Sequence, residues 1–214
     1  MLSLALEQDA WENHFLVGGI DEAGRGAWAG PLIAACVIFP PGFSKPAKMR
    51  PIIQDSKKMS PKQREAAMTI IQKYALAIGV GRISPKYIDH NNILCSTWQA
   101  MRQAIINTGK KLDLCLVDGP FEIPGLKQKQ IALIKGDGQI FSIAAASIMA
   151  KVSRDRIMKK YDHLFPAYGF RRHVGYGTKF HEQALRAFGP CRLHRRSFQP
   201  LKTWLAENKI KVYN

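Results

Sequence analysis

Acidic residues are scarce in this 214-residue chain. Only 16 Asp and Glu stand against 32 Lys and Arg, for a formal net charge of +16. That imbalance disfavours a basic partner and is the electrostatic footprint of a protein that binds a polyanion such as nucleic acid. Cysteine is equally sparse. Cys36, Cys95, Cys115 and Cys191 fall far apart with no C-x-x-C pair, which excludes a disulfide framework and suits a reducing, intracellular compartment. A zinc site built from Cys191 and His194, with His173 and His181 upstream, lacks the tight ligand pairs that structural zinc prefers. Long apolar runs are missing too. Residues 27–44 carry no charge, but Gly30, Pro31, Pro40 and Pro41 interrupt them, so they read as a turn and a buried strand rather than a membrane span. Nothing at the N-terminus resembles a signal peptide, and no repeat, low-complexity tract or linker divides the chain. The expectation is a cytoplasmic protein with no membrane segment, and a monomer by default.

What is present is ordinary globular material, 46% hydrophobic and 22% charged, sized for one domain. The charge is uneven. From Lys151 onward there are 15 basic and 4 acidic residues, against 17 and 12 before it, so the C-terminal third is the expected polyanion surface.

Strand and helix signals alternate. HFLVGGID and LIAACVIF read as a hairpin of two strands around a glycine-rich link. Ser60-Pro61-Lys62-Gln63 has the form of a capping box with proline at the first helical position, which predicts a helix over 61–74. ALAIGVGRI reads as a third strand, and Ser84-Pro85 opens another helical region. In it, Leu94, Trp98, Met101 and Ile105 recur on one predicted buried face. LDLCLVDG is a short strand ending in Asp118, and KQIALIKGDG one ending in Asp137. Ser142 is then expected to open an alanine-rich helix. The glycine- and arginine-rich remainder, about 165–214, reads as helices and loops added to the same single domain, 1–214.

Asp21, Glu22, Asp118 and Asp137 share a setting: each follows an apolar strand and adjoins glycine or another acid. Taken singly, each is an ordinary turn or cap residue. If their strands share one sheet, however, four carboxylates meet at one of its edges. Hard divalent cations such as Mg2+ take oxygen ligands of this kind and remove the repulsion between them. The pattern points to metal-dependent phosphoryl chemistry.

GIDEAGRGAWAGPLIAACV, at 19–37, closely resembles the first motif of the type 2 ribonucleases H, the ribonuclease HII family. Further segments follow in the family's order: DSKKMS at 55–60, LVDG at 116–119, KGDGQIFSIAAASIMAKVSRDRIM at 135–158, YGF, GYGT, and HRRSF at 194–198. The resemblance implies an α/β protein with a ribonuclease H-like fold: a mixed five-stranded sheet flanked by helices, with a helical C-terminal extension. It implies that Asp21, Glu22, Asp118 and Asp137 are the catalytic, metal-binding acids, holding two Mg2+ or Mn2+ ions. The implied activity is hydrolysis of RNA in RNA–DNA hybrids and incision 5′ of single ribonucleotides in duplex DNA. Two-metal catalysis would leave 5′-phosphate and 3′-hydroxyl ends.

The same resemblance assigns the ribose sensor to Gly24, Arg25 and Gly26, where backbone without side chains approaches the 2′-hydroxyl. It assigns to Tyr176 the stacking that reads the RNA-to-DNA junction. Ser56, Lys57 and Lys58 match a phosphate-binding motif, and Arg171, Arg172, Arg195 and Arg196 are candidates to grip the backbone. His173, His181 and His194 read as structural. Two positions depart from the family pattern: Ala27 replaces a common proline, and Val174 replaces a lysine before Gly-Tyr. Rival readings are another nuclease of the same fold superfamily and a basic binding module whose acids are structural.

Overall fold

Strands and helices follow the predicted alternation. The computed structural model describes residues 2–46, 49, 53–54 and 56–210. In chain order the elements are α1 (Ala5–Glu12), β1 (Val17–Ala23), β2 (Leu32–Ile38), α2 (Pro61–Tyr74), β3 (Ala77–Ile83), α3 (Pro85–Asn91) and α4 (Ile93–Asn107). After them come β4 (Leu114–Asp118), β5 (Lys129–Leu133), α5 (Phe141–Leu164), α6 (Phe170–His173), α7 (Lys179–Phe188) and α8 (Leu201–Ala206). The chain divides into two compact units. One holds residues up to Ala23, Ile33–Arg82 and Trp98–Val152. The other holds Gly24–Leu32, Ile83–Thr97 and the chain from Ser153 onward. Among the described residues no helix is long and apolar enough to cross a membrane.

The first unit contains one five-stranded sheet in the order β3-β2-β1-β4-β5. β1 pairs antiparallel with β2 and parallel with β4, which in turn pairs parallel with β5, so the sheet is mixed, as the resemblance implies. β1 is central and almost wholly buried. Helices come unusually close to this sheet because three strand positions lack a side chain. A methyl on Gly19 would lie 2.3 Å from the Ser142 carbonyl carbon, and methyls on Gly79 and Gly81 would lie 2.0 Å from the Ala104 and Ala100 oxygens. This explains why the buried face of α4 is shifted from the predicted one. Ala100, Met101, Ala104 and Ile105 are buried, while Leu94 and Trp98 are only half-buried. α2 begins and ends as predicted, with the capping box formed: the Ser60 hydroxyl accepts from the Gln63 N–H and the Gln63 side chain accepts from the Ser60 N–H.

Two expected strand ends are corrected. Asp21 lies inside β1, which runs on through Glu22 to Ala23. β5 stops at Leu133, and Asp137 sits beyond it in a 3-10 turn, Gly136–Gly138, because Lys135 adopts a left-handed conformation (φ 57°) that no strand can continue through. α5 opens at Phe141, one residue before Ser142, whose N–H donates to the buried Glu7 carboxylate of α1 at 3.0 Å.

The second unit has its own core, formed by Met158, Tyr168, Phe170, Leu185, Leu193, Leu201 and Trp204. Asp89 of α3 fastens the 196–197 segment, accepting from the Arg196 and Ser197 N–H groups at 2.9 Å each and from the Ser197 hydroxyl at 2.6 Å.

Candidate active site

The first unit carries all four acids. Parallel pairing sets Ile20 opposite Val117, so one step further along the two strands Asp21 and Asp118 stand abreast. Asp137 joins them from the turn after β5, its N–H donating to Asp118 Oδ1 at 3.3 Å. Glu22 follows Asp21 directly, and its N–H donates to Asp21 Oδ1 at 2.6 Å. Asp21 and Asp137 are buried, and Glu22 and Asp118 half-buried.

Crowding and burial act on the charges as expected for like groups in a poorly hydrated place. Burial, then the Glu22 and Asp118 charges, holds Asp21 well above the usual carboxylate range, opposed by hydrogen bonds from Ser147 and the Glu22 N–H. Burial and the neighbouring Asp137 charge raise Asp118 more modestly, opposed by the Asp137 and Gly136 N–H groups and by Lys57. Lys57 relieves part of this repulsion. Its ammonium meets Asp137 Oδ2 at 2.7 Å, and that hydrogen bond raises its own pKa. Among the described residues no three Asp, Glu, His or Cys side chains are gathered as they would be round a single ion.

The basic DSKK motif therefore splits in role. Asp55 lies outside the described residues. Lys57 faces the acids, and Lys58 is exposed. Ser56 is corrected from its expected place on a phosphate: it is buried, and its hydroxyl lies 2.9 Å from that of Ser147.

The second unit joins motifs that lie about 150 residues apart in sequence. The Trp28 and Ala29 N–H groups both donate to the Gly175 oxygen, at 2.8 and 3.1 Å, so the link carrying Gly24-Arg25-Gly26 is stitched to the segment carrying Tyr176. The two glycines of the link differ. A methyl on Gly24 would lie 2.0 Å from Arg154 Nε, whereas a methyl on Gly26 would meet nothing within 4 Å. Gly24 is needed for packing, and Gly26 is the exposed stretch of bare backbone. Tyr176 is half-buried, with the Arg154 guanidinium over its ring, 5.3 Å from the centroid.

Arg195 is corrected. It is fully buried, with Nε and Nη2 donating to the Gly30 oxygen and Nη1 to the Arg25 oxygen, so it shapes the link from inside and grips no phosphate. Arg171, Arg172 and Arg196 are exposed as expected. Arg171 lies 3.9 Å from Asp162 and Arg172 stacks over Phe180.

The three histidines do come together, with Cys191, but as a hydrogen-bonded core. His173 stacks on His181 at 4.3 Å between centroids, and His181 Nε2 lies 3.0 Å from His194 Nε2. Burial lowers all three, His181 to about 4 and His194 to about 3. Neutral rings fit the pattern in which His194 Nε2–H donates to His181 and His181 Nδ1–H to the Tyr176 oxygen at 3.0 Å. Sequence reasoning missed Arg154 and Ser147. Ser147 adjoins neither an acid nor a glycine turn, and Arg154, beside Asp155, is one of several basic residues in KVSRDRIMKK, so only the helical spacing from the GDG turn into α5 could have placed them.

Comparison with known proteins adds an independent line. Residues 18–201 match the profile of the family described as Ribonuclease HII. The chain is similar to the Ribonuclease HII of Chloroflexus aurantiacus, at 44% identity over 92% of this chain and 93% of that one. It is similar to that of Geobacter sulfurreducens, at 47% identity over 91% and 87%. Among solved structures, the crystal structure of the ribonuclease H2 from Pyrococcus horikoshii OT3 superposes with a TM-score of 0.76 at 25% identity, covering 91% of this chain and 98% of that one.

Proposed function

The chain belongs to the ribonuclease HII family, metal-dependent endonucleases that act on RNA–DNA hybrids, and from that premise we infer that it also incises duplex DNA 5′ of a single embedded ribonucleotide. The observation that carries this reading is the set of four carboxylates contributed by β1, β4 and the turn after β5, two of them, Asp21 and Asp118, held above their ordinary pKa by burial and by neighbouring carboxylates.

That donor set fits divalent cations. All four groups are hard oxygen donors, and their repulsion, which Lys57 relieves chiefly at Asp137 and in part at Asp118, calls for more positive charge. Mg2+ keeps several waters and binds through one or two carboxylates together with substrate oxygens, so it needs no closed protein cage. Asp21, Glu22, Asp118 and Asp137 would hold two ions. When bound, such ions supply a water of lowered pKa and stabilise charge on the leaving 3′ oxygen.

The protein's own share is placement. β1 and β4 fix Asp21 and Asp118 side by side, and the turn after β5 orients Asp137 through its N–H to Asp118. Ser147 and the Glu22 N–H hold the Asp21 carboxylate, and Lys57 steadies Asp137 while leaving most of its own side chain in solvent, within reach of an anionic strand. In the second unit, the exposed Gly26 backbone and Arg25 read the ribose, because the 2′-hydroxyl is the local difference between RNA and DNA. Tyr176 supplies the apolar face for the neighbouring sugar. Lys58, Arg171, Arg172 and Arg196 neutralise phosphates.

The test is an end-labelled DNA duplex with one ribonucleotide, incubated with Mg2+ or Mn2+, alongside a chelator control and an all-DNA duplex. Metal-dependent incision immediately 5′ of the ribonucleotide, leaving 3′-hydroxyl and 5′-phosphate ends, is expected. Tight binding without incision under either metal would overturn the reading in favour of a binding module.

A further inference from the structure

We propose that Arg154, a buried residue of α5 outside the catalytic acids, is a positioning residue that sets junction specificity by holding Tyr176 and the Gly24–Leu32 link in one preformed arrangement. The inference rests on the reading of Tyr176 as the junction reader.

Its guanidinium is fully buried and makes one hydrogen bond from each nitrogen: Nε to the Pro31 oxygen at 2.9 Å, Nη2 to the Ala29 oxygen at 3.0 Å, and Nη1 to the Val174 oxygen at 2.8 Å. Two of these carbonyls belong to the link and the third to the segment leading into Tyr176. One face of the same plane lies over the Tyr176 ring, within the range where a cation is attracted to an aromatic face. The fit leaves no slack on the link side, since any side chain at Gly24 would collide with Nε and Cδ. A single planar group therefore touches both segments assigned to ribose and junction reading.

Val174 gives a second, independent sign. It is β-branched yet adopts a left-handed conformation, φ 44° and ψ 36°, which is a genuine outlier for such a residue. Strain of this kind persists only where surrounding contacts over-determine it. Here the Val174 N–H donates to the Phe170 oxygen at 2.8 Å, its oxygen is taken by Arg154, and the next residue, Gly175, accepts from Trp28 and Ala29. Arg154 closes the set of contacts that turns the chain sharply just before Tyr176. Lysine could keep the charge but not the three-pronged plane or the stacked face, so the geometry is specific to arginine.

The experiment compares kcat/KM on a single-ribonucleotide duplex with that on a long hybrid, for the wild type, Arg154→Lys, Tyr176→Ala and the double variant. A purely structural loss lowers both substrates together and leaves their ratio unmoved. Each single variant is expected to lower the ratio about tenfold, and the double variant no further than either, because contacting residues that act as one unit are not additive. If Tyr176→Ala moves the ratio but Arg154→Lys does not, or if the two losses multiply, the inference fails while the reading of Tyr176 stands. If Tyr176→Ala leaves the ratio alone, both fail. Should Arg154→Lys not fold, the wild type alone decides the matter by fluorine NMR with 3-fluorotyrosine placed at position 176. A single resonance displaced from that of free fluorotyrosine before substrate is added supports a preformed ring. A signal averaged to the free position overturns it.

Discussion

Asp21 shows how a residue legible in sequence acquires a property that only burial can give. Its place after an apolar run marks it as a site acid, but not as one buried beside two other carboxylates. Because its folded-state pKa is raised well above 3.8, the ionised form is penalised in the folded protein. That penalty is absent in strong acid, grows as pH rises past the ordinary value and is complete above the folded value. Asp21→Asn is therefore expected to raise the Tm at pH 7 in the presence of a chelator. Adding Mg2+ should then stabilise the wild type more than the variant, since a ligand that binds only the folded state stabilises it. A variant less stable than the wild type in chelator would contradict the charge argument. Ser56 and Arg195 illustrate the reverse limit. Both look like surface phosphate ligands in sequence, and both are buried with their polar atoms engaged inside the protein.

At the scale of elements, local rules were readable and long-range approach was not. The Ser60 and Gln63 pair marks where α2 starts, because both halves of a capping box lie within four residues. Nothing local says that β5 ends four residues before Asp137, since that depends on a left-handed lysine. Nor does sequence spacing show that α4 and α5 press on glycines of the sheet. Gly19 tests this directly. A side chain there would push against the Ser142 and Ile143 backbone at the start of α5, two residues from Asp21, and neither side can move without shifting an element. Gly19→Ala is expected to cost about 3 kcal/mol, at the upper end of ordinary overpacking. Denaturant unfolding measures it, and a loss below about 0.5 kcal/mol, the range of neutral surface changes, would mean that the helix yields freely. Metal-dependent cleavage should fall further than the folded fraction alone explains, because α5 also carries Ser147 against Asp21.

At the scale of the whole molecule, the net charge of +16 announces a polyanion partner, but charge counting cannot tell which cations face it. The structure sorts them. Arg171 and Arg172 are exposed on α6, whereas Arg195 is enclosed by carbonyls of the link. These classes predict different measurements. Each phosphate contact contributes roughly 0.9 to the slope of log affinity against log salt. Replacing Arg171 and Arg172 together by alanine should therefore flatten that slope by roughly 1.8 with little change in Tm. Arg195→Gln should do the opposite, leaving the slope unchanged while costing about 3 kcal/mol, since it strips buried carbonyls of their charged donor. Anisotropy titrations of a labelled hybrid at several salt concentrations, in chelator to prevent cleavage, would separate the two. An unchanged slope in the double variant would remove α6 from the interface and transfer the polyanion surface to other exposed cations of the C-terminal third.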